Sequence, residues 1–251
     1  MSSDLPSVPR LVQDDCWLEP YADHISWRID RLKQQLQSIN AEAGSIEEYA
    51  QLHKELGIHY HQAKDVWSVR EWAPGAHYVS IIGDFNHWDA GSNPLTKGPN
   101  GIWELELEGK ALKHGDTIKL HIYGADGSAR DRIPATIHRS VQDETTHDYS
   151  GQIWQPEKDY CWENEFDPSS IGAPLIYEAH VGMAGEEPRL HTYREFADNI
   201  LPRIQKLGYN TIQLMAVQEH PYYGSFGYHV SSFFAACSRF GTPEDLKYLV
   251  D

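Results

Sequence analysis

The sequence predicts a multidomain chain of unlike pieces. They are an N-terminal helical segment over 1–57, an antiparallel β-sandwich over 58–155, a linker at 156–174, and the first two β/α units of an incomplete (β/α)8 TIM barrel over 175–251. Three observations carry that expectation. Apolar residues recur at helical spacing before residue 57, alternate with polar ones at strand spacing up to about 155, and then return as strand, helix, strand, helix.

Residues 1–20 are polar and Pro-containing and read as a loose arm ending in Trp17-Leu18-Glu19-Pro20. Ile25, Ile29, Leu32, Leu36 and Ile39 then form one apolar helical stripe, which Gly44 breaks. Ser45 followed by Glu48 is a capping-box pattern, and the short helix it opens carries Tyr49, Leu52 and Leu56 and stops at Gly57. From there the period becomes that of strands. Residues 66–72 and 78–82 are β-prone runs closed by Pro74-Gly75 and Gly83-Asp84. Trp103, Leu105 and Leu107 alternate with three glutamates, and Ile118, Leu120 and Ile122 alternate in the same way before the Ala125-Asp126-Gly127 turn. Short strands at this spacing suit a small sandwich.

Pro156, Pro168, Gly172 and Pro174 mark the linker. Residues 175–180 form a strand, and Thr192-x-x-Glu195 caps a helix whose Phe196, Ile200, Ile204 and Leu207 share a face, with Pro202 kinking it on the solvent side. Residues 211–217 form a second strand. Thr242 and Pro243 open another helix as N-cap and first residue. Two β/α units close neither a barrel nor both faces of a sheet, so the sequence reads as part of a longer polypeptide.

The formal charge of −16 disfavours nucleic acid and anionic lipid as partners and suits a neutral substrate. The 3 cysteines are far apart, odd in number and without CxxC spacing; they read as reduced thiols of a cytoplasmic protein. No apolar run is long enough to span a membrane. The 8 Trp and 14 Tyr are numerous enough for some rings to lie on the surface, where aromatic faces pack against the C–H faces of sugars.

Trp72-Ala73-Pro74-Gly75-Ala76 followed by Gly83-Asp84-Phe85-Asn86-x-Trp88 resembles the starch- and glycogen-binding sandwich found ahead of many alpha-amylase superfamily barrels. Residues 176–182 (IYEAHVG), 214–228 (LMAVQEHPYYGSFGY), 232–236 (SFFAA) and 239–246 (RFGTPEDL) resemble the first two barrel strands and loops of eukaryotic-type glycogen branching enzymes. Leu18-Glu19-Pro20-Tyr21 fits that family's N-terminal segment, and the likeness runs from about residue 16 to the end. The resemblance implies an enzyme that cuts an α-1,4 glucan, holds the segment on a carboxylate and passes it to a 6-hydroxyl as an α-1,6 branch. Two displacements give retention, with the two carboxyl groups about 5–5.5 Å apart. In the family those carboxylates lie on later barrel strands, so none falls within 1–251. The partner implied is α-glucan, and no cofactor is implied.

The same resemblance points to substrate-binding residues. Tyr228 matches a tyrosine that stacks under the sugar being cleaved, and Tyr222 and Tyr223 are either stacking or packing rings. His220 and Glu219 contact a hydroxyl or brace the loop, bracing being preferred for Glu219. Trp88 and Lys119 match glucan-binding positions of the related sandwiches. Ser128-Ala129-Arg130 stands where those modules often carry a second Trp, so the surface patch is expected to bind weakly and the sandwich mainly to prop the barrel. The pairs Glu178/His180 and His59/His61 supply two ligands each where zinc takes three or four, and they read as structural, with no metal site. The competing readings are a non-catalytic glucan-binding scaffold, which has no use for 175–251, and a debranching relative, which the 176–182 and 214–228 segments disfavour.

Overall fold

The computed structural model describes residues 9–251, in two compact units that meet between Glu55 and Leu56. In the first unit, α1 (Arg10–Asp14) leads into a 3-10 turn at Cys16–Tyr21 and then α2 (Ala22–Ala43). The arm expected to be loose is therefore helical from Arg10 on, and the Asp15 carboxylate caps the Trp17 N–H to start the 3-10 turn; residues 1–8 of that arm lie outside the described residues. α2 covers the predicted stripe and ends where Gly44 takes a φ of +83°. No residue of α2 is fully buried. Ser45 Oγ accepts from Glu48 N as expected, but the helix it opens, α3 (Ile46–Tyr49), lasts one turn before a 3-10 turn at Leu52–Lys54.

The second unit begins with two antiparallel sheets. One has the order β1 (Gly57–His61), β2 (Val66–Trp72), β5 (Ile102–Glu108), β4 (Thr96–Lys97). The other has β3 (Ala76–Gly83), β6 (Thr117–Gly124), β9 (Tyr149–Gln152) and β8 (Ser140–Gln142), with β7 (Ala129–Arg132) paired to the far half of β6. The alternation read from the sequence puts Val69, Val79, Ile81, Trp103 and Leu120 into one buried cluster, and Trp67, Ile118, Ile137 and Ile153 into another. The glutamates of β5 stay exposed.

Beyond residue 156 the only regular element before the next strand is a 3-10 turn at Pro168–Ser170. β10 (Ile176–His180) then pairs in parallel with β11 (Thr211–Met215), Ile176 opposite Thr211. The crossover is α4 (Tyr193–Glu195), a π turn at Phe196–Ile200, and α5 (Leu201–Lys206). Thr192 and Glu195 form a complete capping box. Pro202 is exposed and lacks an N–H, so the turn before it widens; that is the form the expected kink takes.

β11 stops at Met215, two residues short of the expected strand. Ala216 turns to a φ of +59°, and Gly227 packs so closely on it that an added Cβ would stand 2.4 Å from Ala216 Cα. The chain then forms an antiparallel pair that the sequence reading did not foresee, β12 (Gln218–Glu219) with β13 (Ser232–Ala236). α6 (Pro243–Val250) follows, with a second capping box between Thr242 and Asp245. Val181, Tyr193, Phe196, Ile204, Cys237 and Phe240 make the core under the crossover.

Candidate functional site

The connection from β12 to β13 carries three of the predicted tyrosines past the carboxyl end of β11. Tyr222 and Tyr228 are 62% and 77% exposed. Local hydrogen bonds fold the segment tightly. Ser225 is buried; its Oγ donates to the Tyr222 carbonyl at 2.7 Å and accepts from His229 N, while Tyr228 N donates to the Ser225 carbonyl at 3.0 Å. Phe226 and Gly227 are both left-handed, which turns Tyr228 outward after Tyr223 has turned in. Tyr223 is half-buried, packs against the core under the crossover and meets His180 edge-on at 5.9 Å.

His220, expected to contact substrate, is fully buried. Its Nδ1 donates to the Gln218 carbonyl at 2.9 Å, and its Nε2 has no hydrogen-bond partner. It belongs to the floor under the loop. His180 lies there too, with both ring nitrogens buried and without hydrogen-bond partners; burial first, and then neighbouring His220, hold its pKa below the ordinary imidazole value. The expected brace is in place at Glu219, which is fully buried and accepts from His220 N at 3.1 Å and Ser238 N at 2.8 Å. The Arg239 guanidinium stands 3.6 Å from the same carboxylate. Arg239 also donates to the carbonyls of His220 and Pro221 and to Tyr149 Oη on β9. Nothing in the sequence reading had singled out Arg239; its partners are 18, 19 and 90 residues away and leave no local pattern.

Glu219, His220 and Cys237 offer ligand atoms within 4.8 Å of one another. The chemistry does not suit a cation. Both Glu219 oxygens are already bound, Arg239 brings a positive charge, and burial pushes the Cys237 thiol up to about 12, which keeps it protonated. Glu178 is exposed and His180 buried, and neither belongs to that cluster. His59 bonds the Leu56 carbonyl and His61 bonds Ser68 Oγ, each a separate structural contact.

On the sandwich, the motif around Trp88 is built by backbone recognition. Asn86 bonds Gly83 N, the Ile81 carbonyl and Asn93; an added Cβ at Gly83 would stand 2.3 Å from the Thr117 carbonyl oxygen. Asp84 accepts from the Trp88 indole at 3.2 Å with one oxygen and from Thr117 N at 2.7 Å with the other. Trp88 is thereby tied to β6, the strand that carries half-buried Lys119 opposite Ile82. Across the turn, Ser128 is spent on Asp126, and Ala129 and Arg130 present no ring. Trp72, at the end of β2, is also an exposed indole, pinned through Nε1 to the Asn100 carbonyl, which its place in a β-prone run had hidden.

Residues 55–137 match the family Carbohydrate-binding module 48 (Isoamylase N-terminal domain). The chain is 42% identical over 247 residues to the 1,4-alpha-glucan-branching enzyme of Dictyostelium discoideum, covering 96% of this chain and 36% of that protein. It is 44% identical over 242 residues to the chloroplastic/amyloplastic 1,4-alpha-glucan-branching enzyme of Oryza sativa subsp. japonica, covering 93% of this chain and 29% of that protein. The chain thus spans about a third of the length of these relatives. Among solved structures, the Group B Streptococcus pullulanase SAP matches with a TM-score of 0.60 at 20% identity, over 76% of this chain and 30% of that one. The catalytic module of the glycogen-degrading pneumococcal protein SpuA matches with a TM-score of 0.57 at 18% identity, over 78% of this chain and 34% of that one. At these identities the likeness is one of fold. No helix among the described residues is long and apolar enough to cross a membrane.

Proposed function

We propose that this relative of the 1,4-alpha-glucan-branching enzymes is the N-terminal part of one, and that its own share of the reaction is to hold α-glucan rather than to cut it. In this reading residues 175–251 are the start of a (β/α)8 barrel, and the sandwich over 58–155 is joined to it by the linker at 156–174. The single observation that carries the proposal is the pair of exposed rings, Tyr222 and Tyr228, on a hydrogen-bonded loop past the end of a parallel strand, where barrel enzymes build their sites. A ring there orients a sugar without exchanging protons. The carboxylate at the loop's root, Glu219, is buried and bound, which is the condition of a brace and not of an acid or base. The nucleophile and acid/base of the retaining reaction are assigned to no residue of 1–251. Trp88 and Lys119 serve as a secondary contact on the sandwich, weakened by Ser128-Ala129-Arg130. The three uncrosslinked cysteines and the anionic surface fit a cytoplasmic protein acting on a neutral polymer.

The test is direct. The 251-residue chain incubated with amylose leaves the iodine complex unchanged, and it binds maltoheptaose. Tyr228→Ala weakens that binding about tenfold, the scale of one stacking contact, and Tyr228→Phe leaves it nearly unaltered. New α-1,6 linkages in the first assay, or equal Kd values for Tyr228→Ala and the unsubstituted chain in the second, contradict the proposal.

A further inference from the structure

We infer that Arg239 is a positioning residue through which the sandwich holds the root of the tyrosine loop, so that the sandwich acts on glucan by placing Tyr222 and Tyr228 as well as through any sugar it binds itself. The inference rests on the glucan reading of that loop.

The geometry is that of a fork with tines in two layers. One guanidinium nitrogen donates to the His220 carbonyl; the other donates to the Pro221 carbonyl at 2.7 Å and to Tyr149 Oη at 2.5 Å. His220 and Pro221 are the two residues immediately before Tyr222. Tyr149 opens β9, an interior strand of the second sheet. A planar group with fixed donors transmits position in a way that a flexible ammonium does not. The charge is balanced locally, since the fully buried Glu219 carboxylate lies 3.6 Å away and itself holds Ser238 N, next to Arg239.

Other contacts also join the sandwich to this segment, and they show what is particular to Arg239. Arg139 donates to the Gly241 carbonyl at 3.1 Å, and the Trp154 indole donates to Glu244 at 2.7 Å. Ala235 of β13 lies in the cluster with Ile118, Ile137 and Ile153. These three reach β13 or the start of α6. Arg239 alone of the four reaches the loop's own backbone. Loss of the Tyr149 hydroxyl therefore loosens the loop while the sheets stay docked, which a merely structural role for Tyr149 does not predict.

Amide hydrogen exchange on the 251-residue chain tests this with two variants. Removing Arg239 outright strands a buried carboxylate and risks unfolding, so the variants are Tyr149→Phe and Arg239→Lys. Expected is about tenfold faster exchange at Tyr222–Tyr228, the scale of one lost hydrogen bond to a charged group, with β3 and β6 amides and the thermal midpoint unchanged. Unchanged loop exchange in both variants overturns the inference, as does acceleration spread equally over β3, β6 and the loop in Tyr149→Phe. Maltoheptaose added to the unsubstituted chain is expected to slow exchange at Tyr222–Tyr228. Its failure to do so overturns the glucan reading, and it is distinguishable from failure of the clamp, which the variant rates measure without any sugar.

Discussion

The sandwich and the β10–β11 pair are built from equally apolar strands, yet they stand in opposite conditions. In the sandwich, Ile118 faces a second sheet and is 0% exposed. In the parallel pair, Ile176 is 51% exposed, and Leu175 and Tyr177 are exposed with it. The crossover divides the second region further, because its helical side packs Tyr193, Phe196 and Phe240 to complete burial while the strand side stays open. Sheet strands are stabilised by what lies on their faces, and only the sandwich supplies both layers from within its own segment. The open strand faces are what the further strands of a barrel would cover under the proposed reading.

Core truncation sharpens this contrast most. Ile118→Ala is expected to cost about 2–5 kcal/mol in urea unfolding, as buried aliphatic truncations do. Ile176→Ala is expected to cost less than about 0.5 kcal/mol, because an exposed side chain has little packing to lose. Equal losses break the comparison. The crossover gives an intermediate effect. Thr192→Ala removes the hydroxyl that accepts from Glu195 N, and it is expected to lower stability by about 1 kcal/mol if the helical side is as well held as its burial indicates. A silent substitution would place the whole β/α region with the loose strands.

The smallest effect is one of pH. His180 has its pKa held below the ordinary imidazole value by burial and by His220, with Tyr223 and Phe240 also against the ring. A histidine depressed in the folded state leaves the unfolded chain to take the proton first. Its contribution is therefore whole above about pH 6.5 and is lost as pH falls below that value. The thermal midpoint is expected to drop between pH 7 and 5, and to drop less in His180→Gln. An equal drop in the variant would remove the floor of the loop as the source.

Where the sequence was legible, periodicity made it so. The stripe of α2 and the alternation in β5 and β6 are repeated signals; the burial of β5 and β6 follows theirs, whereas in α2 the helix forms but Leu32 of its stripe stays exposed. The pair β12–β13 has no such signal, since Gln218-Glu219 is two residues long and Ser232-Phe-Phe-Ala-Ala does not alternate. The loop shows the same limit at finer grain. Tyr222, Tyr223 and His220 are near neighbours in sequence, and the left-handed Phe226 and Gly227 and the hydrogen bonds of Ser225, which separate the rings that meet solvent from those of the floor, leave no pattern there. The Asn86 and Asp84 anchors of the Trp88 motif were visible as residue types, but the backbone groups they read were not.

Cys237 lies on that floor, with its thiol fully buried and its pKa raised to about 12. Cys16 and Cys161 are exposed. The molecule thus carries a chemical clock of its own. Two thiols are open to a modifying reagent from the start, whereas the third waits for the core beneath the tyrosine loop to breathe. How long it waits measures, without any added probe, how firmly that floor is shut.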